Sequence, residues 1–257
     1  MEFLHWTIKK LCQAVMDKTY SPNHLLADKY KVEKVLGDGN YGIVYLCKEL
    51  KSNRKCVVKQ MRKSKKKENE QLYIQETNVL RFLNHPSIPK LIETFTYEKT
   101  KFFSMQFIEG DNLDDLLFSK EKRFTEIEAL LSFKGLLEII SYIHEKGIAH
   151  GDIRIPNVMI GDDKLYLIDF GLTQYLQSGM EKNTVQDDYY DLGDFLLFLL
   201  YSTFDTKSKK NQPWTEELNL HTGTTNILKK LLQIDKPYDN ITDIIKDTHQ
   251  IIEDLSN

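Results

Sequence analysis

Apolar residues recur along this chain at helical spacing in some stretches and in short extended runs in others. Leu4, Ile8, Leu11 and Val15 are spaced by four, three and four residues, which predicts an amphipathic helix over 3–16. Such a helix packs on a neighbouring domain, or, given Phe3, Trp6, Lys9 and Lys10, lies on a membrane surface or a partner. Residues 19–28, with Ser21-Pro22-Asn23, read as a linker. Short runs then predict strands at 30–36, 42–47, 55–59, 91–97 and 102–108. A helix over 71–83 interrupts them, with Leu72, Val79, Leu80 and Leu83 among its apolar positions. From 112 the pattern is helical. Asn112 to Leu117 opens one helix, and Thr125-Glu126-Ile127-Glu128 has the form of a capping box starting a longer one to about 146. Val158-Met159-Ile160 and Leu165-Tyr166-Leu167-Ile168, separated by the turn Gly161-Asp162-Asp163-Lys164, read as a hairpin. Helices near 188–202, 215–219, 223–233 and 241–254 follow.

Composition narrows the class. With 257 residues, 41% hydrophobic and 28% charged, the chain can build one large or two small cores of a soluble globular kind. A net charge of −3 selects no partner. No apolar run approaches the roughly 18 residues that a bilayer span needs; the longest, 195–201, reads as a buried helix. Lys9 and Lys10 interrupt the early apolar segment, so no signal-peptide pattern is present. Cys12, Cys47 and Cys56 are odd in number and lack metal spacing, which fits a reducing, cytoplasmic location. The run Arg62, Lys63, Lys65, Lys66, Lys67 is either a solvated loop or a site for an anionic regulator: nucleic acid, acidic protein or lipid headgroups.

The chemistry concentrates in 148–171. His150-Gly151-Asp152 and Asn157 precede the hairpin, and Asp169-Phe170-Gly171 follows it, so the hairpin should bring Asp152, Asn157 and Asp169 to one end. Converging oxygen side chains suit a hard cation such as Mg²⁺. A carboxylate left free of metal can orient a hydroxyl and accept its proton. The plainer reading is a hairpin with ordinary turn Asp and Asn residues. A second motif, Gly37-x-Gly39-x-x-Gly42, sits between two strands; a dinucleotide fold would follow its glycines with a helix.

Taken together these motifs resemble the protein kinases. The 148–171 stretch is similar to the catalytic loop H-R-D-L-K-x-x-N and the metal loop D-F-G, with Gly151 in place of the usual Arg. The resemblance implies that Asp152 is the catalytic base, that Asn157 and Asp169 hold the metal, and that Arg154 replaces the Lys that steadies the transferred phosphate. Strand, glycines, strand resembles the kinase phosphate flap, implying that Gly37, Gly39 and Gly42 approach the phosphates, with Tyr41 capping the tip. Val57-Val58-Lys59 resembles Val-Ala-Ile-Lys, so Lys59 would bind phosphates. Glu76, ten residues before Pro86 in Asn84-His85-Pro86-Ser87-Ile88, would hold Lys59, with Glu68 and Glu70 as alternatives. The run 102–110 resembles the kinase hinge. Met105 would be the gatekeeper, backbone groups of Gln106 and Ile108 would read the adenine, and Leu36, Val44, Val57 and Met159 would wall it. His144 is left as structural. Asp188-Tyr189-Tyr190-Asp191-Leu192-Gly193 resembles D-x-W-S-x-G, which implies that Asp188 accepts hydrogen bonds from the catalytic-loop backbone. The segment between Asp169 and Asp188 is short and lacks Ala-Pro-Glu, and the Arg that usually pairs with that motif has no counterpart either.

The implied fold is α+β: a two-lobed protein-kinase fold with a five-stranded antiparallel N-lobe carrying one main helix, and a mostly helical C-lobe. The expected division is 1–28 for the N-terminal helix and linker, 29–109 for the N-lobe and 110–257 for the C-lobe. The implied activity is an ATP-dependent Ser/Thr protein kinase using Mg²⁺ or Mn²⁺, acting on a protein substrate and autophosphorylating. It is most similar to small, atypical bacterial and archaeal kinases. A small-molecule kinase of the aminoglycoside or choline type and a pseudokinase scaffold are the alternatives. Because Gly151 cannot gather a phosphate, activity is expected not to depend on phosphorylation of Thr173 or Thr184. Control would then come from dimerisation, from an anionic ligand at 62–67, or from the N-terminal helix.

Overall fold

The computed structural model describes residues 17–39, 41–63, 66–162, 164–176, 181–204 and 212–256, without the side chains of 66–68 and 181–182. The helix expected over 3–16 lies outside the described residues, as do Cys12, Asn40 and Lys65. The chain divides into two compact units. The first takes residues up to Asn84 together with Pro89–Phe107, and the second takes His85–Ile88 and everything from Ile108 onward.

The first unit is an antiparallel sheet of β1 (Leu25–Leu26), β2 (Tyr30–Asp38), β3 (Gly42–Glu49), β4 (Lys55–Met61), β5 (Leu91–Tyr97) and β6 (Thr100–Gln106), in the order β1-β2-β3-β4-β6-β5. The helix α1 (Lys66–Phe82) lies between β4 and β5 in the chain. Strand alternation gives the sheet two distinct faces. Tyr30, Val32, Ile43, Tyr45, Cys47, Cys56, Val58 and Phe102 form a buried cluster on one of them. The register pairs Val44 with Lys59 and Phe103, and Leu46 with Val57 and Met105, so these residues share the opposite face. There Tyr73 of α1 sits 6.1 Å from Phe103, ring to ring.

Two readings of this unit change. The five expected strands are joined by a sixth, the two-residue β1, within the segment read as a linker. Tyr20 and Leu26 enter the buried cluster, and Tyr20 N–H donates to the Tyr45 hydroxyl at 3.3 Å. Two anchors six residues apart show no period, so the Ser-Pro-Asn turn between them dominated the sequence signal. The last strand covers 100–106 rather than 102–108, because the chain leaves the sheet toward Gly110, which has φ +152°.

The second unit is organised on α2 (Glu126–Glu145), preceded by the two-residue β7 (Asp111–Asn112). Nearly every apolar residue of α2 is buried, including Leu130, Phe133, Leu136, Leu137, Ile140 and Ile143. Its start is the expected capping box: Thr125 Oγ1 accepts from Glu128 N–H while the Glu128 carboxylate accepts from Thr125 N–H at 2.8 Å. The helix expected to open at 112–117 is present over 113–119 but is short and, from Asp115 to Ser119, wide, closed by Lys120 N–H donating to Asp115 O. After α2 come β8 (Ile148–Ala149), the hairpin β9 (Val158–Gly161) and β10 (Lys164–Leu167), and β11 (Gln174–Tyr175), which pairs back onto β8. Then follow α3 (Glu181–Tyr201), α4 (Trp214–Glu217), α5 (Thr222–Leu231) and α6 (Ile241–Ser256). Helix α3 begins seven residues before the expected 188, since nothing from Glu181 to Asp187 breaks a helix. The His85-Pro86-Ser87-Ile88 turn belongs to this unit. The His85 ring lies 4.9 Å from that of Tyr142, and Ser87 O accepts from Leu167 N–H at 3.0 Å.

Candidate catalytic site

In the first unit the glycine motif forms the β2–β3 connection. Gly39 N–H donates to Gly42 O at 3.0 Å. A side chain on Gly42 would sit 2.6 Å from Gln60 O, so the close approach of β3 to β4 demands glycine there. Gly37 has open space around its Cα, which leaves that position free for steric reasons. Lys59, on β4, sends its ammonium to both carboxylate oxygens of Glu76 on α1, at 2.8 Å each. Lys59 is 7% exposed and Glu76 1%, so two costly desolvations are offset by mutual attraction in a low-dielectric setting. Glu70 instead binds Lys101 on the surface, and the side chain of Glu68 lies outside the described residues. Val44, Val57 and Met105 share the Lys59 face, whereas Leu36 stands at a bulge of β2 and is 44% exposed. Gln106 donates its N–H to Lys90 O at 2.9 Å. Ile108 and Met159 lie in the second unit.

The basic run is partly internal. Arg62 donates to Asp17 Oδ2, to Gly39 O and to Asp38, and Lys63 N–H donates to Asp17 Oδ1 at 2.6 Å. Arg62 therefore ties the glycine hairpin to the start of the described chain.

In the second unit the loop between β8 and β9 carries Asp152, Arg154 and Asn157. The Asn157 side-chain amide donates to Asp152 O at 2.9 Å and to Asp152 Oδ2 at 2.8 Å. Arg154 Nε donates to Asp152 Oδ1 at 3.0 Å. The Asp152 carboxylate is thereby held on both oxygens, while Arg154 is 65% exposed along its side chain. The hairpin closes as the sequence implies: Ile168 N–H donates to Asn157 O at 2.9 Å, setting Asp169 next to the Asn157 end of β9. Asp169 has φ +63°, a left-handed conformation that non-glycine residues rarely adopt and that clusters at functional sites. Among the described residues no group of three or more His, Cys, Asp or Glu could hold a metal. The donor set that does exist suits Mg²⁺. With its amide nitrogen committed to Asp152, Asn157 has its side-chain oxygen left to offer. Together with the Asp169 carboxylate this supplies one or two hard oxygen ligands, as such ions take from protein.

A buried carboxylate anchors the loop from behind. Asp188, fully buried on α3, accepts from His144 Nε2 at 2.7 Å, His150 N–H at 2.9 Å and Gly151 N–H at 2.8 Å. The His150 ring is packed edge-on against Phe170, and burial pushes its pKa below the usual histidine value. Gly151 has φ +74°, and a Cβ there would meet Leu172 O at 2.7 Å. The loop thus has no room for the Arg of the H-R-D motif it resembles. The stretch after Asp169-Phe170-Gly171 is pinned by the β8–β11 ladder and by Leu176 N–H donating to Gly147 O at 2.8 Å. Within it Thr173 is 1% exposed, and its hydroxyl donates to Phe170 O at 2.9 Å.

One functional-looking residue escaped the motif reading. Asp191 accepts from Ile153 N–H at 3.1 Å, and burial, with the charges of Asp188, Asp152 and Asp194 adding, raises its pKa to about 6. The signal was present: Asp191 stands where D-x-W-S-x-G has Ser.

Comparison with known proteins bears on the family of the chain. Residues 30–191 match the family model described as protein kinase domain. The chain is 42% identical over 254 residues to the "Probable serine/threonine-protein kinase YbdM" of Bacillus subtilis (strain 168), covering 97% of this chain and 99% of that one. It is 33% identical over 152 residues to the serine/threonine-protein kinase DCLK1 of Rattus norvegicus, covering 57% of this chain and 35% of that one. It is 30% identical over 193 residues to calcium-dependent protein kinase 4 of Plasmodium berghei (strain Anka), covering 72% of this chain and 36% of that one. The chain therefore spans nearly all of the Bacillus relative and about a third of the other two.

Proposed function

The chain belongs to the protein kinase family, and from that membership we propose how its residues carry out the work of a serine/threonine protein kinase. Kinases of this family use ATP and a divalent cation. In our reading Lys59, held by Glu76, binds the phosphates beneath the Gly37, Gly39 and Gly42 hairpin. Leu36, Val44, Val57, Met105 and Met159 wall the adenine, and backbone groups of Gln106 and Ile108 read its edge. Asn157 and Asp169 would hold Mg²⁺ or Mn²⁺, and such an ion would supply positive charge against the phosphates. The acceptor hydroxyl of a protein Ser or Thr bonds the γ-phosphorus as the bond to the bridging oxygen breaks. ADP leaves with that electron pair, and the hydroxyl proton passes to Asp152. Arg154 steadies the transferred phosphate. The observation that carries this is the Asp152 carboxylate, held by Asn157 at 2.8 Å and by Arg154 at 3.0 Å on a loop clamped by Asp188. We further propose that the protein autophosphorylates, works in the cytoplasm and needs no phosphate on Thr173 or Thr184. Among the described residues no helix is long and apolar enough to cross a membrane. Control by dimerisation, by an anionic ligand at 62–67 or by residues 1–16 belongs to the same proposal.

The test is phosphotransfer from ATP with Mg²⁺ or Mn²⁺, offering generic protein and aminoglycoside acceptors in parallel. Protein Ser/Thr should be labelled, and Asp152→Asn should lower the rate by about 10²–10⁴-fold with the circular dichroism unchanged. Near-wild-type turnover in Asp169→Asn would remove the metal assignment, and labelling of the aminoglycoside alone would make this a small-molecule kinase. Mass spectrometry of the purified protein, with Asp152→Asn as control, reads autophosphorylation.

A further inference from the structure

A cavity of ≈ 350 Å³ lies within the second unit, and its wall includes Asp152 itself. The floor is apolar and buried: Ile153, Ile155 and Phe195 are at most 5% exposed. Its rim is not. Phe118, from the short helix before α2, is 64% exposed, and Phe198, from α3, is 52% exposed; their ring centroids lie 6.3 Å apart at 77°. Two large aromatic rings left this open beside a reactive carboxylate mark a binding surface more readily than a core. The same wall carries Asp114, Asp191 and Asp194. Asp191 and Asp194 are three residues apart on α3 and so share a helix face. The one basic residue of the lining, Arg154, is already paired with Asp152. Among the described residues no basic side chain is paired with Asp114, Asp191 or Asp194. The groove thus combines unneutralised carboxylates with exposed aromatic faces, next to the group that receives the acceptor hydroxyl.

We propose that this groove selects the acceptor segment of the protein substrate by an arginine near the phosphorylated Ser or Thr, taking its guanidinium between the carboxylates of Asp191 and Asp194 and the Phe118–Phe198 pair. The proposal rests on the kinase reading of Asp152. Arginine fits better than lysine on chemical grounds. Its planar fork takes carboxylates in two parallel hydrogen bonds, and it stacks on aromatic faces, whereas an ammonium is a compact, strongly hydrated charge. Asp114, in the same lining, adds a third carboxylate to which a second basic residue can pair. The burial that raises Asp191 toward neutrality supports the same view, because a guanidinium would relieve it.

The experiment uses the full chain with ATP, Mg²⁺ and a set of Ser peptides in which each position flanking the acceptor carries Arg, Lys, Gln or Glu in turn. Peptides with Arg should be phosphorylated with a kcat/KM about tenfold or more above their Gln counterparts at one or two positions, with Lys between and Glu lowest. Asp194→Lys should reverse the order of Arg and Glu. Phe198→Ala should narrow the gap between Arg and Lys. Asp191→Asn, which keeps an acceptor for Ile153 N–H, should weaken the Arg preference. Calorimetric binding of the best Arg peptide in the absence of nucleotide separates the two levels of inference. Turnover with no Arg preference overturns the groove and leaves the kinase reading standing. Binding that is lost in Asp194→Lys, without turnover on any acceptor, supports the groove and overturns the kinase reading. Equal binding of Arg and Glu peptides overturns the groove whatever the turnover.

Discussion

At the scale of single residues, two positions carry conformational and electrostatic costs that measurements can expose. Gly151 sits at φ +74° with Leu172 O where a Cβ would go. The left-handed region costs an L-residue ~1–2 kcal/mol, and displacing a backbone oxygen adds to it. Gly151→Ala should lower stability to denaturant by about 2 kcal/mol, and Gly151→Arg, which restores the commoner kinase residue, should lower it further. An unchanged urea midpoint for both would mean that the loop tolerates a side chain. Asp191 offers a pH test. Its carboxyl is raised from 3.8 to about 6 by burial first, with Asp188, Asp152 and Asp194 adding repulsion. Arg154 and Asp114 line the same cavity. Between about pH 4 and 6 the folded protein keeps a proton that the unfolded chain has released, so this group's contribution to stability falls as pH rises through that window. Above pH 6 the cost is complete, at most ~3 kcal/mol for a two-unit shift. Asp191→Asn should therefore stabilise the protein at pH 7.5 by about 1–3 kcal/mol, with the gain fading toward pH 4. A gain of equal size at pH 4 and 7.5 would contradict it.

At the scale of elements, helices act as posts to which loops are tied. The capping box at Thr125 satisfies free N–H groups at the start of α2 and touches nothing catalytic. Asp188, inside α3, instead takes three donors from α2 and the catalytic loop. The two should separate cleanly on mutation. Thr125→Ala should cost about 1 kcal/mol with turnover per folded molecule unchanged. Asp188→Asn, with one acceptor oxygen for three donors, should cost about 2–4 kcal/mol and also lower kcat, since buried donors left unpaired cost ~1–3 kcal/mol each. Equal kcat in Asp188→Asn and wild type would show that the loop holds its shape without the clamp.

At the scale of the whole molecule, the question is what orders the stretch after Asp169-Phe170-Gly171. A phosphate gathered by the catalytic-loop Arg is one solution, through charge-assisted hydrogen bonds. Here Gly151 has no such side chain, while the β8–β11 ladder supplies backbone hydrogen bonds instead. Thr173 is buried and bonded to Phe170 O, and Thr184 lies within α3. Phosphatase treatment should therefore leave the initial rate within about twofold, and Thr173→Ala or Thr184→Ala should not reproduce an inactive state. A drop of about tenfold, ~1.4 kcal/mol in barrier, on dephosphorylation and in either variant would mean that the segment is switched by phosphate.

The glycine hairpin, Lys59, Asp152, Asn157 and Asp169 were legible in the sequence because each belongs to a local motif, where spacing along the chain fixes spacing in space. The capping box at Thr125 was legible for the same reason: its two hydrogen bonds span three residues. Glu76 was legible only to within three carboxylates. Packing of α1 separates Glu76 from Glu70, burying the first against Lys59 and leaving the second on the surface with Lys101. Tyr20 and Leu26 looked like linker because their partners, Tyr45 and Phe102 among them, lie far along the chain. The groove beside Asp152 was invisible for a stronger form of that reason. Asp114, Phe118, Asp152, Asp191 and Phe198 come from stretches up to 84 residues apart and share no period or spacing. Sequence by itself determined the chemistry available and the order of the elements. Only the tertiary structure decided which distant charges and rings meet, because that depends on how helices pack and not on how the chain is written.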